Sequence, residues 1–122
     1  MTTARHTISS DEFLRLRKNL ANNEDLLEKF DDQIRDLCAT QPDDATRIFD
    51  TLAQSDSVDD REYVAIYVRH LLAYRYDVAT ALLKALLHDP NQDVRQKAED
   101  AITAAAEANE INVIDAARLY DT

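Results

Sequence analysis

The chain has 122 residues, two prolines, one cysteine, no glycine and a formal net charge of −10. That length suits one domain with its own core, and the lack of glycine nearly excludes tight hairpins and phosphate-cradling loops, so the fold class is read as all-α. The lone Cys38 cannot form an internal disulfide and points to a reducing, cytoplasmic setting; neither an apolar leader nor a membrane-length apolar run is present.

Residues 1–8 read as a flexible N-terminal tail and 9–122 as a single helical-repeat domain. In ISSDEF, Ser9 is placed to cap, Glu12 follows three residues later, and Ile8 and Phe13 supply a flanking staple, so a first helix is expected over about 10–21. A second opens near residue 23 with Leu26, Phe30, Ile34 and Leu37 on one face; Cys38 falls at helical spacing from Ile34 and reads as a small buried residue. Pro42 suits the first turn of a third helix, where Asp43 and Asp44 favour the positive end of the dipole. A fourth is expected over about 58–74, a fifth capped by Asp77, a sixth over about 92–108 and a short seventh in NVIDAARLY.

A period lies beneath these helices. At an offset of 34, the segment from Ala45 to Leu52 meets Ala79 to Leu86, Arg61 meets Arg95, and Val64, Val68 and Leu71 meet Ala98, Ile102 and Ala105. The same offset places Phe30, Ile34 and Leu37 on Val64, Val68 and Leu71, while Asp44-Ala45-Thr46-Arg47 returns as Asp115-Ala116-Ala117-Arg118. Three helix pairs and a trailing half-repeat account for this spacing.

Residues 86–102, LLHDPNQDVRQKAEDAI, carry the clearest motif. Leu86-Leu87, Asp89-Pro90, Val94-Arg95, Ala98 and Ala101-Ile102 resemble the turn and second helix of a HEAT repeat or its armadillo-like relatives. The resemblance implies a short right-handed α-solenoid of about three helical hairpins plus a C-terminal half-repeat. It also implies that Asp89, Arg95 and Arg61 fasten one repeat to the next. Two departures stand out: Ser55 and Asp60 occupy the places of Asp89 and Val94 one repeat earlier, and 34 residues is the tetratricopeptide length rather than the HEAT length. The tetratricopeptide pattern, however, needs glycine and a phased proline. Independently of the name, Pro90 pushes the preceding residue out of the helical region, and Asn91 is placed to cap the next helix.

Two surfaces are candidates for binding. Glu24, Glu28, Asp32 and Asp36 recur every four residues on the second helix, opposite its apolar face, with Asp25–Lys29 and Asp31–Arg35 placed to offset some of the repulsion. This ridge reads as a solvated face or as a docking surface for a basic partner. Tyr63, Tyr67, His70 and Tyr74, with Arg69 beside them, form a stripe on the fourth helix that reads as packing between layers or as a partner-binding surface. Residues 21–60 carry three basic and twelve acidic side chains, so that third of the chain holds most of the excess charge and opposes nucleic-acid binding.

No catalytic or metal-binding pattern is found. His6, His70 and His88 have no glutamate three residues earlier, and paired cysteines and glycine-flanked nucleophiles are missing. The expected function is a non-enzymatic protein-protein interaction module or scaffold that uses no cofactor and meets neither nucleic acid nor membrane. Its partner is another protein with a basic surface, with self-association through the last half-repeat left open. The alternative is an acidic inhibitor or immunity-type protein that neutralises a basic toxin or nuclease; an enzyme stands third.

Overall fold

The structure, a computed structural model, describes residues 8–121; most of the expected N-terminal tail therefore lies outside the described residues. Every regular element among them is helical: α1 (Ser10–Asn19), α2 (Glu24–Thr40), α3 (Pro42–Ala53), α4 (Val58–Tyr67), a 3-10 turn (Val68–Leu71), α5 (Tyr76–Leu87), α6 (Gln92–Glu107) and α7 (Val113–Leu119).

Polar caps set most of the helix starts. Ser9 accepts the Glu12 N–H at 3.1 Å, and Asn23 accepts that of Leu26 at 3.1 Å. Asn91 takes the N–H groups of Asp93 and Val94 at 2.8 and 3.2 Å, and Asn112 that of Ile114 at 2.7 Å. Each bond satisfies an amide with no partner inside its helix. Asp77 is not a cap: α5 begins one residue earlier, and Asp77 sits in its first turn, where its charge suits the dipole. The fourth helix also ends before residue 74. After Tyr67 the chain tightens into the 3-10 turn, with i→i+3 bonds from Leu72 to Arg69 and from Tyr74 to Leu71, both 3.1 Å. Val68, Leu71 and Leu72 are all buried there, so packing overrides a stretch of unbroken helical propensity.

The helices pack in two rows. In one, α1 lies against α3, α3 against α5 and α5 against α7; in the other, α2 meets the 3-10 turn and α4 meets α6. Phe13, Phe30, Phe49 and Tyr67 join the first four helices, with ring centroids 5.5–6.4 Å apart and mostly edge-on contacts. Further along, the core becomes aliphatic, with Leu83, Leu86, Val94 and Ile102 buried together with Ala98 and Ala105.

The 34-residue offset is visible in the hydrogen bonds. Arg61 donates to the Ser55 carbonyl at 2.8 Å, and Arg95 to the Asp89 carbonyl at 2.7 Å. The Ser57 N–H meets Ser55 Oγ at 3.1 Å, and the Asn91 N–H meets Asp89 Oδ1 at 2.9 Å. Thr46 bonds back to the Pro42 carbonyl at 2.8 Å, and Thr80 to that of Tyr76 at 2.9 Å. The residues preceding α3 and α5 share an unusual backbone, with φ −137° and ψ 61° at Gln41 and φ −142° and ψ 69° at Arg75. Thus α3–α4 and α5–α6 are built on one local plan.

Candidate functional site

The helix α2 is amphipathic: Phe30, Ile34 and Cys38 are buried, whereas Glu24, Glu28, Asp32 and Asp36 are all exposed. Arg35 partly neutralises this ridge, reaching Asp32 at 3.2 Å and Asp31 at 3.4 Å. Glu24, Glu28 and Asp36 pair with no cation among the described residues, and the expected Asp25–Lys29 ion pair is likewise not formed among them. Asp31 turns the other way and meets His70 Nε2 at 2.8 Å, tying α2 to the 3-10 turn.

A groove of about 670 Å³ opens between α1 and α2, along the apolar side of α2. Ile8, Leu16 and Leu20 line one side and Phe30, Ile34 and Leu37 the other, with Asn19, Gln33, Asp36, Thr40 and Gln41 also contributing to its lining. Asp36 is the one charged residue in that lining; helical spacing carries Glu28 and Asp32 round to the opposite side of α2. The sequence carried a signal for this groove, since Leu16 and Leu20 extend the apolar side of α1 beyond Phe13. Spacing could not reveal that α1 and α2 both rest on α3 and leave a gap between them.

The aromatic stripe does not form one binding face. Tyr67 is 3% exposed and belongs to the aromatic core, and its hydroxyl accepts the Arg17 Nε–H at 2.8 Å. Burial raises its pKa, with the Arg17 guanidinium acting in the opposite direction. That burial accords with the packing reading of the stripe at this position. Tyr63 is half-buried beneath the Arg17 guanidinium, 5.0 Å from the ring centroid. Arg69 is held by both carboxylate oxygens of Glu110, one of them at 3.2 Å, and His70 by Asp31. Tyr74 is exposed but lies beyond the 3-10 turn, off α4 altogether.

The motif residues form a buried clasp. Arg61 Nε and Nη2 bind Asp89 at 2.7 and 3.3 Å, joining α4 to the turn before α6. Burial disfavours the Asp89 anion, but the Arg61 bonds, the Asn91 N–H and nearby Arg95 outweigh it and hold the carboxyl below its usual range. Val94 is buried beneath this turn and Pro90 is exposed within it. Cys38 is fully enclosed, and burial pushes its thiol up to about 12, which keeps it protonated at neutral pH.

Among the described residues no three His, Cys, Asp or Glu side chains are grouped to hold a metal ion, and no helix is long and apolar enough to cross a membrane. No protein-family model, no curated protein and no solved structure matches this chain.

Proposed function

We propose that this chain is a short HEAT-like α-solenoid that acts without catalysis, holding a basic protein partner on the carboxylate ridge of α2. The two hairpins sharing one hydrogen-bonding plan, and the rows of first and second helices, support the solenoid part of this reading. The observation that carries the binding part is the state of Glu24, Glu28 and Asp36, exposed and without an ion-pair partner among the described residues. Like charges four residues apart destabilise a helix by about 0.2–0.5 kcal/mol per pair. A partner with lysines or arginines turns that internal cost into attraction and speeds encounter.

The acidic-inhibitor alternative uses the same surface. It is favoured by the excess of twelve acidic over three basic residues at positions 21–60, and it makes the partner a basic enzyme whose activity is lost on binding.

Titration calorimetry with a lysine-rich peptide tests the ridge. Reversal of Glu28 and Asp32 to Lys should reduce affinity at least about tenfold with the fold intact, whereas Arg69→Ala with Tyr74→Ala should leave it unchanged. Retained affinity in the reversed variant, or loss only in the Arg69/Tyr74 variant, sinks the assignment to α2.

A further inference from the structure

The last helix has two apolar sides, and neighbouring helices cover one of them. Ala116 and Leu119 are buried where α7 meets α5 and α6. Val113 and Ile114 are 69% and 62% exposed, and Tyr120, which ends the helix, is exposed as well. With Ala117, these residues share one side of α7, following the i, i+4, i+7 spacing from Val113 through Ala117 to Tyr120. Half of the six large apolar side chains exposed among the described residues are thus gathered on one short helix and the residue that ends it. We propose that this face is the contact between two copies of the chain, paired antiparallel about a two-fold axis at Ala117. The pairing goes beyond the ridge reading and does not depend on it.

Shape supports a second copy as the occupant. An open hollow of about 540 Å³ lies at the start of α7, lined by Asn109, Ile111, Asn112, Val113 and Ile114. Tyr120 stands exposed at the other end, seven residues and about 10 Å along the axis from Val113. Tyr120 lies three residues after Ala117 and Val113 four before it. An antiparallel crossing at Ala117 therefore sets the Tyr120 ring of each copy against the other's Val113, beside the hollow. Both contacts form at once, which is the requirement of an isologous interface. Ala117, the smallest side chain on the face, lies at the crossing and lets the two helices approach closely.

Charge supports the same occupant. Helix α7 is locally neutral, with Asp115 and Arg118 3.8 Å apart and Asp115 also accepting the Tyr76 hydroxyl at 2.6 Å. The carboxylate ridge lies on α2, which packs against α3 and the 3-10 turn, whereas α7 packs against α5 and α6. Two chains of net charge −10 that meet through α7 join at a neutral face, and their ridges take no part in the contact. A face on one short helix belongs with the small interfaces, below about 1,200 Å² in total, so the pairing is reversible and depends on concentration.

Sedimentation equilibrium over chain concentrations of about 1 μM to 1 mM reads the contact. The intact chain should pass from the mass of one chain to that of two and no further. Ala117→Glu sets two carboxylates face to face at the axis and should weaken pairing at least about tenfold, with Tm unchanged at concentrations where the chain is single. Ala117→Lys should do the same, and mixing the two variants should restore pairing, because opposite charges meet there only if the position faces itself. Tyr120→Ser tests the flanking contact from an exposed position and should weaken pairing about fivefold.

A single-chain mass across the whole range overturns the proposal. So does a mass that grows past two chains, the mark of a head-to-tail contact. Pairing unchanged in both Ala117→Glu and Tyr120→Ser puts the interface elsewhere and overturns it too. Pairing lost in both Ala117 variants and not restored by mixing them overturns the two-fold arrangement. Each outcome is read without a basic peptide, so none of them bears on the ridge.

Discussion

Arg61 and Asp89 form the interaction whose removal should be felt most. Their side chains are 14% and 7% exposed, and the guanidinium closes on both carboxylate oxygens while also holding the Ser55 carbonyl. Arg61→Ala leaves a buried carboxylate without its counter-ion and should cost about 3 kcal/mol, measured by urea unfolding at neutral pH. Asp89 also gives a pH signature. Because its folded pKa is lowered, its stabilising contribution is fully present above the ordinary aspartate value of about 3.9 and is lost as pH falls through the folded value. Asp89→Asn should therefore be less stable than the parent at pH 6 and converge on it towards pH 2, about as far as acid unfolding permits measurement. Parallel pH curves for the two proteins would falsify this role. Arg61 and Arg95 recur at the 34-residue offset, whereas Asp89 does not, Ser55 standing in its place, and it was singled out only by the resemblance of its motif. The burial of Tyr67 in particular was not legible, because its hydroxyl is satisfied by Arg17, a residue 50 positions away that no local spacing connects to it.

At the scale of elements, the starts of helices were easier to read than their ends. Ser9, Asn23, Asn91 and Asn112 carry their capping chemistry in a single side chain, and each accepts an N–H from the first turn. The end of α4 is settled instead by the burial of Val68, Leu71 and Leu72 against other helices, which is a property of the assembled fold. Two substitutions on α6 separate local from packing contributions. Asn91→Ala removes one cap and should cost about 1 kcal/mol. Ala98 is fully buried on α6, which packs against α4, so Ala98→Leu forces extra volume into that contact and should cost about 1–3 kcal/mol. Chemical denaturation midpoints distinguish the two. An Ala98→Leu variant as stable as the parent would mean that α4 and α6 are not closely apposed at that point.

For the whole molecule, the all-helical class and the concentration of net negative charge in one third of the chain could be read from sequence, while the groove depends on how two helices lean on a third. The ridge then links stability to the proposed binding in a way that one substitution can measure. Glu28 lies four residues from both Glu24 and Asp32, so Glu28→Lys converts two repulsive spacings into two attractive ones. At about 0.2–0.5 kcal/mol per spacing in each sense, the variant should gain about 1 kcal/mol at low ionic strength. Salt should shrink the difference, because screening acts over about 10 Å at 0.1 M and about 3 Å at 1 M. The same change removes a charge from the centre of the ridge and should weaken capture of a basic peptide. A face retained for folding alone would gain stability on this substitution and lose nothing else. A binding face gives up affinity as it gains stability, and thermal unfolding in low and high salt, set beside peptide affinity, separates the two. A rise in Tm with unchanged affinity would assign the ridge to solvation, whereas a rise in Tm with lost affinity is the outcome expected of a surface whose repulsion is relieved by its partner.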